Sequence, residues 1–364
     1  MARHDHQGPL VGIRALEFAG IGPGPHCGMM LADLGADVLR INRQGGNGWP
    51  NPVADRGRRH VVVDLKSADG KAFCLLAADG ADVLIEGYRP GLMERLGLGP
   101  DILLKRNPAL IYGRVTGWGQ DGPLATTAGH DINYISLTGA LAAMGKPHQS
   151  AALPLNLVGD FGGGSMLLMI GILAALVERQ KSGQGQVIDA AIVDGAASLM
   201  SFFSGLTPSG LISVERDRNP LGGASHYYRC YTCKDGKEIS VGAIEPQFYA
   251  ELMDKINAPE KLRQGREDPE NWPEYTAIMK RIFATKTRAE WRAILEGSDA
   301  CFAPVLTLEE AVKHPHTQHR RGYFKRDGAY QLTPTPRFSR TPGAARPSEE
   351  LRLASGLQPW ETPI

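Results

Sequence analysis

From Val11 the chain reads strand, glycine-rich turn, helix, strand: GIRALEFA, then GIGPGPHC, then GMMLADLGA, then DVLRINR. Two parallel strands cannot be joined by a tight hairpin, so the helix that carries the chain back between them is the unit that decides the fold. The pattern continues through HVVVDLK, the helical SADGKAFCLLAADG, the strand ADVLIEGYRP, a helix around GLMERLGL and the strand ALIYGRVTGWG. Strands alternating with helices predict a parallel sheet covered on both faces, so the first half is expected to be a Rossmann-like α/β domain.

Beyond Asp160, GGGSMLLMIGILAALVERQKSG is apolar nearly all round and runs into Gly183 and Gly185, which predicts a core helix. Ser204 to Ala224 is rich in Gly, Pro, Ser and Asn with little periodicity and reads as extended linker. After it, YYRCYTCKDGKEISVGAI predicts a hairpin turning at Asp235 and Gly236, followed by helices in EYTAIMKRIFATK and RAEWRAILEGSD. The expected organisation is a large domain from residues 1–185 and 318–364, a linker over 186–224, a small α+β domain over 225–305 and a return linker over 306–317.

Composition narrows the partners. Lys plus Arg (40) balances Asp plus Glu (39), so no global field gathers nucleic acid or a membrane surface, and an anionic ligand must be held by a local basic pocket. The cysteines Cys27, Cys74, Cys230, Cys233 and Cys301 are too few and scattered for a disulfide framework, which points to a reducing compartment. The N-terminus lacks an apolar signal core, and the longest apolar stretch, Met166 to Val177, falls short of a membrane span. A cytoplasmic protein with no membrane partner is therefore expected.

A βαβ opening with glycines invites a dinucleotide, but the fingerprint G-x-G-x-x-G fails in each frame. Counting from Gly20 and Gly22 the third glycine is Pro25; counting from Gly22 and Gly24 it is Cys27. The second strand also ends in Arg40, Asn42 and Arg43 rather than the acidic residue that would hold a ribose, so NAD is disfavoured and NADP is a weak alternative. Arg40, Arg43, Arg56, Arg58, Arg59, Lys66, Arg89 and Arg95 all fall in this half, several just beyond strand ends, where such folds bind ligands. Guanidinium forks grip phosphates in pairs of hydrogen bonds, so a ligand with several phosphate charges, such as coenzyme A, suits them; the alternative is solvated surface charge.

Three segments carry candidate chemistry. In AGHDINYISLTGAL, His130 and Asp131 precede an apolar helical pattern, with Asp131 as the expected N-cap. In LNLVGDFGGGSM, Asp160 follows what reads as an apolar strand and leads into the long helix. In SVGAIEPQFY, Glu245 ends a strand and Pro246 suits a first helical position. Taken singly, each has a plain reading as a cap or a surface group.

Long motifs in order change that reading: LEFAGIGPGPHCGMMLADLGADVLRI, VDLKS, VLIEGYRPGLMERLGLG, YGRVTGWGQDGP, AGHDINYISLTG, PLNLVGDFGGGSM, GQVIDAAIVDG, VGAIEPQFY and SDACFAPVL. The chain resembles the CaiB/BaiF, or family III, CoA-transferase superfamily over nearly its whole length, and within it the bacterial α-methylacyl-CoA racemases. The resemblance implies a Rossmann-like domain completed by the C-terminal tail, a small α+β domain, two long linkers and an interlocked homodimer. It implies an acyl-CoA substrate of branched-chain lipid metabolism, with coenzyme A as part of the substrate and no separate catalytic cofactor. It further implies CoA contacts at Arg43, Asp64, Leu65, Lys66, Gly87, Tyr88, Arg89 and Arg95, proton-transfer bases at His130 and Asp160, and Glu245 in support of the histidine.

The chemistry agrees with those residue types. A thioester carbonyl acidifies its α-proton enough for a modest base when the enolate oxygen is stabilised, and inversion needs a base on each face. His130 and Asp160 would exchange roles with direction, the backbone N–H of Asp131 would serve the enolate oxygen, and Glu245 would fix the histidine tautomer. Met144, Met166 and Met169 offer an adaptable surface to an acyl chain, or fill the core. The competing reading is a true CoA-transferase in which Asp131 attacks the thioester; a scaffold protein would be expected to have lost an ionisable site residue. No metal is expected, because Cys230 and Cys233 form a lone C-x-x-C and His314, His316 and His319 lie in a proline-bearing loop. Cys27 and Gly57 have no assigned role, and the acyl chain, whether steroid side chain, branched fatty acid or arylpropionyl group, is left open.

Overall fold

The computed structural model describes residues 7–46, 49–351 and 358–360. Contacts divide the chain into two compact units, one from Met1–Thr138, Pro154–Leu199 and His319–Ile364, the other from Gly139–Leu153 and Met200–Gln318.

The first unit opens with β1 (Arg14–Phe18), α1 (Pro23–Asp33), β2 (Asp37–Asn42), β3 (Arg58–Val62) and α2 (Ala68–Asp79). It continues with β4 (Val83–Glu86), α3 (Leu92–Arg95), α4 (Pro100–Arg106), β5 (Ile111–Thr116) and α5 (Asp131–Ser136). After α6 (Ala140–Ala143), which belongs to the second unit, Leu157–Met166 winds in wide π turns and runs straight into α7 (Leu167–Ser182). β6 (Val187–Ala191) and α8 (Ile192–Leu199) follow. These elements occupy residues expected to be linker: β6 pairs with β5, and Ala190 and Ala191 are buried, so backbone pairing and burial override the polar look of GQGQV.

The second unit contains α9 (Ser201–Leu206), β7 (Tyr228–Thr232), β8 (Glu238–Gly242), α10 (Pro246–Lys255), α11 (Trp272–Phe283), α12 (Arg288–Leu295), β9 (Phe302–Pro304) and α13 (Leu308–Ala311). α14 (Pro315–His319) leads into β10 (Tyr323–Arg326), β11 (Ala329–Leu332) and β12 (Glu349–Leu351). β7, β8 and β9 form an antiparallel sheet whose hairpin turns where expected, with Gly236 at φ 75° supplying the left-handed residue. Its core joins Tyr231, Phe283 and Trp291 from β7, α11 and α12.

The large sheet is parallel throughout, in the order β12-β3-β2-β1-β4-β5-β6. The chain steps outward from β1 through β2 to β3, then returns to β4 and steps the other way. The crevice beyond the carboxyl ends of β1 and β4 is thus the topological switch point, where open α/β sheets bind ligands. Side chains alternate across the sheet: Ala15 and Val83 pack on one face with Leu31 of α1 and Leu168 and Ile172 of α7, while Leu16 and Leu84 pack on the other with Phe73 of α2 and Leu103 of α4. Both faces of the central strands are covered, as a parallel sheet requires.

One expectation is corrected. The apolar helix runs continuously over Leu157–Ser182, long and apolar enough by length and composition to cross a membrane, because the π-wound segment adds ten residues to α7. Leu168, Met169, Ile172, Ala175 and Leu176 bury one face of it in the sheet's core.

Candidate active site

The π-wound segment brings Asp160 to the switch-point end of the sheet. Glycines allow it: a Cβ at Gly163 would lie 2.5 Å from the backbone nitrogen of Ala196 on α8, and one at Gly159 would lie 2.2 Å from Asp131 Oδ1. Asp160 therefore sits within helical backbone and does not follow a strand, since close packing on α8 decides the conformation where local pattern does not. Asp131 Oδ1 accepts the backbone N–H of Asp160 at 2.6 Å, and Asn156 Nδ2 donates to Asp160 Oδ2 at 3.2 Å. The glycine turn before α1 closes on the same carboxylate, because a Cβ on Gly22, which has φ 70°, would stand 3.2 Å from Asp160 Oδ2.

Burial raises the pKa of Asp160 above the usual carboxylate value. The Asn156 hydrogen bond and the charge of His130 oppose that shift, and the charge of Asp131 adds to it. A carboxylate so placed holds its proton more readily than one in water.

His130, not Asp131, is the N-cap of α5. Its backbone is extended, its N–H donates to Asn133 Oδ1 at 3.0 Å, and its carbonyl accepts from Asn133 N at 2.8 Å. Asp131 is the first helical residue and is 7% exposed; its carboxylate turns inward to the backbone of Asp160, so it is unavailable for capping. Asp131 Oδ2 is buried without a hydrogen-bond partner among the described residues. The imidazole-bearing residue itself is exposed. Tyr134, whose hydroxyl donates to the Gly129 carbonyl and whose ring meets Trp118 edge-on at 4.9 Å, braces the chain just before His130. Asn156, Tyr134 and Trp118 were not singled out from sequence; the i, i+4 spacing of Asn156 and Asp160 on one helical segment is the signal that finds the first of them.

The expected coenzyme contacts follow successive strand ends. Arg43 follows β2, with Nε donating to the Gly46 carbonyl at 2.9 Å. Asp64, Leu65 and Lys66 follow β3, where Asp64 Oδ1 accepts the Lys66 N–H at 2.9 Å and Leu65 packs on the core. Gly87, Tyr88 and Arg89 follow β4, and Arg95 closes α3. Arg43, Lys66, Arg89 and Arg95 are exposed, while Tyr88 is half-buried, its hydroxyl pKa pushed up to about 12 by burial.

Four other arginines do not join them. Arg58 is buried against Glu17 at 2.9 Å and reaches the Pro25 carbonyl; Arg40 contacts Glu17 and Asp55; Arg56 forks onto Asp33. Arg59 pairs with Asp37 at 2.7 Å. Their guanidinium groups neutralise carboxylates inside the fold, which leaves them no forks for phosphate. Glu245 lies in the second unit, three residues beyond β8 instead of at its end, as the exposed N-cap of α10. Among the described residues no group of three His, Cys, Asp or Glu is arranged to hold a metal, and His314 pairs with Glu296 at 2.7 Å.

Residues 10–349 match the family model of CoA-transferase family III. The chain belongs to this family. Among family III relatives, it is 45% identical to an alpha-methylacyl-CoA racemase of Mus musculus, over 92% of this chain and 87% of the relative. It is 42% identical to the Homo sapiens alpha-methylacyl-CoA racemase, over 90% of this chain and 85% of that one. A CAIB/BAIF family protein from Brucella suis shares the fold with a TM-score of 0.80 at 24% identity, covering 94% of this chain and 96% of its own. Rv3272 from M. tuberculosis superposes with a TM-score of 0.78 at 27% identity, over 95% and 98% of the two chains.

Proposed function

We propose that this protein is an α-methylacyl-CoA racemase that interconverts (2R)- and (2S)-2-methylacyl-CoA thioesters by 1,1-proton transfer through an enolate. The observation that carries the reading over CoA transfer is the state of Asp131. A nucleophile must present a carboxylate oxygen to the thioester carbon, whereas Oδ1 here is bound to the backbone of Asp160 and Oδ2 is buried. Asp131 thereby acts as a clasp between the His130 cap and the Asp160 backbone. The two relatives named racemases support the same reading.

In the proposed mechanism one base removes the α-proton and the other returns a proton on the opposite face. Asp160 as carboxylate serves one epimer and His130 as imidazole the other, and each is the acid when the reaction runs back. The backbone N–H of Asp131, which has no acceptor within its own helix, is the proposed donor to the enolate oxygen. The residues after β2, β3 and β4 would hold the coenzyme A portion, with Arg43, Lys66, Arg89 and Arg95 facing its phosphates. The protein is further proposed to act as a homodimer in the cytoplasm, a reading supported by the outward apolar row Met166, Ile170 and Val177 and by five free cysteines.

The test is an Asp131→Asn variant assayed for epimerisation and for CoA transfer onto an added carboxylic acid. The amide oxygen still accepts from Asp160. Exchanging a charged for a neutral hydrogen bond costs about 1–1.5 kcal/mol, so epimerisation should persist at about a tenth of the wild-type rate, without transfer in either protein. Transfer by the wild type that vanishes in the variant would make Asp131 the nucleophile and the protein a transferase.

A further inference from the structure

Of the residues proposed to hold coenzyme A after β4, Gly87, Tyr88 and Arg89 lie between two carboxylates, Glu86 at the end of that strand and Glu94 on α3, and Arg95 directly follows the second. Both carboxylates bind one guanidinium. Arg114 on β5 is the register partner of Glu86; its Nε donates to Glu86 Oε1 at 2.7 Å and its Nη1 to Glu94 Oε1 at 2.8 Å. The second oxygen of Glu86 accepts the backbone N–H of Tyr88 at 2.7 Å. Glu86 is wholly buried and Arg114 nearly so, whereas Gly87, Arg89 and Arg95 are exposed. At Gly87 a Cβ would stand 3.2 Å from the Val115 carbonyl, so the loop also rests directly on β5.

We propose that Arg114 is a positioning residue for acyl-CoA binding, clamping both ends of the loop from Gly87 to Arg95 so that Tyr88, Arg89 and Arg95 are presented to the ligand in a fixed arrangement. This role rests on the coenzyme binding proposed above for that loop. A loop of exposed cationic side chains pays an ordering penalty on binding, and fixing it in advance lowers that penalty. Only a guanidinium suits the position. It is planar and forked and can serve two carboxylates in different directions, whereas an ammonium at the end of a flexible alkyl stem is a single point charge. Arg114 itself faces the interior ion pairs and does not touch the ligand.

The test compares wild type, Arg114→Lys and Glu94→Gln for binding of coenzyme A by calorimetry, and for KM and kcat with 2-methylacyl-CoA and with the corresponding pantetheine thioester, which lacks the nucleotide. Arg114→Lys should weaken coenzyme A binding and raise KM for the acyl-CoA about ten-fold, with kcat within two-fold of wild type and no change for the pantetheine thioester. Glu94→Gln, an alteration of a partly exposed side chain that releases only the α3 end, should give about a three-fold effect of the same kind. It decides the matter if the lysine variant does not fold. Wild-type coenzyme A affinity in Glu94→Gln, or equal losses on the acyl-CoA and pantetheine substrates, would overturn the clamp. Failure of the wild type to bind coenzyme A would instead overturn the coenzyme-binding reading on which the clamp stands.

Discussion

Replacing Gly159 by alanine tests whether the link between Asp131 and Asp160 sets the geometry of catalysis. The new methyl carbon would stand 2.2 Å from Asp131 Oδ1 and 3.1 Å from Ile135 Cγ2. Ordinary carbon–oxygen contact is about 3.3 Å, so the carboxylate or the helical backbone must move by about 1 Å. Either movement breaks the 2.6 Å hydrogen bond to the Asp160 N–H. A hydrogen bond to a charged group contributes about 1.5–3 kcal/mol, and a 1 Å misplacement of a reacting group lowers rates on the order of 100-fold. The atoms nearest to that Cβ belong to Asp131 and Ile135 and not to the loops after β2, β3 and β4, so the loss should fall on kcat while KM for the acyl-CoA stays near wild type. Epimerisation followed by proton NMR in D2O, with thermal denaturation alongside, reads both quantities. A Gly159→Ala protein with kcat within two-fold of wild type would refute the idea that this contact matters to the reaction.

In the proposed mechanism Asp160 is a base only when ionised, and its raised pKa means that the rate in the direction it serves should fall as pH drops through that value. Asn156→Ala removes a hydrogen bond that favours the carboxylate, so the acid limb of the pH-rate profile should move to higher pH; Asp131→Asn removes a neighbouring negative charge and should move it to lower pH. His226, fully buried, donates from Nε2 to Tyr249, because the Tyr249 hydroxyl is itself given to the Leu262 carbonyl; protonation would leave an N–H on Nδ1 with no acceptor among the described residues. Burial depresses its pKa to about 4 from 6.5, so its contribution is complete above pH 6.5 and about 3 kcal/mol is lost as pH falls toward 4; urea titrations across that range should show it, and His226→Gln should flatten the dependence. Gly28→Ala would place a Cβ 2.2 Å from Glu17 Oε2 and 2.8 Å from Arg58 Nη2, and prying open that buried pair should destabilise the protein by about 3–5 kcal/mol, measurable by denaturant unfolding.

The parallel sheet was legible because β1, β2, β4 and β5 are short apolar runs separated by helical segments, a pattern set by local chemistry and burial. The linker reading of 186–199 failed because β6 is an edge strand with exposed Val187 and Asp189, whose pairing with β5 leaves little mark on hydrophobicity. Asp160 reads in the sequence as following a strand and instead lies in helical backbone, since the π winding depends on glycines meeting α8, a contact between segments distant in sequence. Arg40, Arg56 and Arg58 looked like phosphate ligands because their partners, Glu17 and Asp33, lie inside apolar strings where a buried carboxylate is invisible until the fold is assembled. The one-residue error at the start of α5 has a chemical reason: aspartate is the better cap by preference, but its carboxylate is held by Asp160.

The most direct test of two-base proton transfer uses each pure epimer of a 2-methylacyl-CoA in D2O with His130→Ala and Asp160→Asn, following α-deuterium uptake and configuration separately. The account predicts that both variants lose epimerisation while each still exchanges the α-proton of one epimer with retention, the two variants serving opposite epimers. Epimerisation that survives removal of either residue, or loss of exchange from both epimers in only one variant, would contradict it.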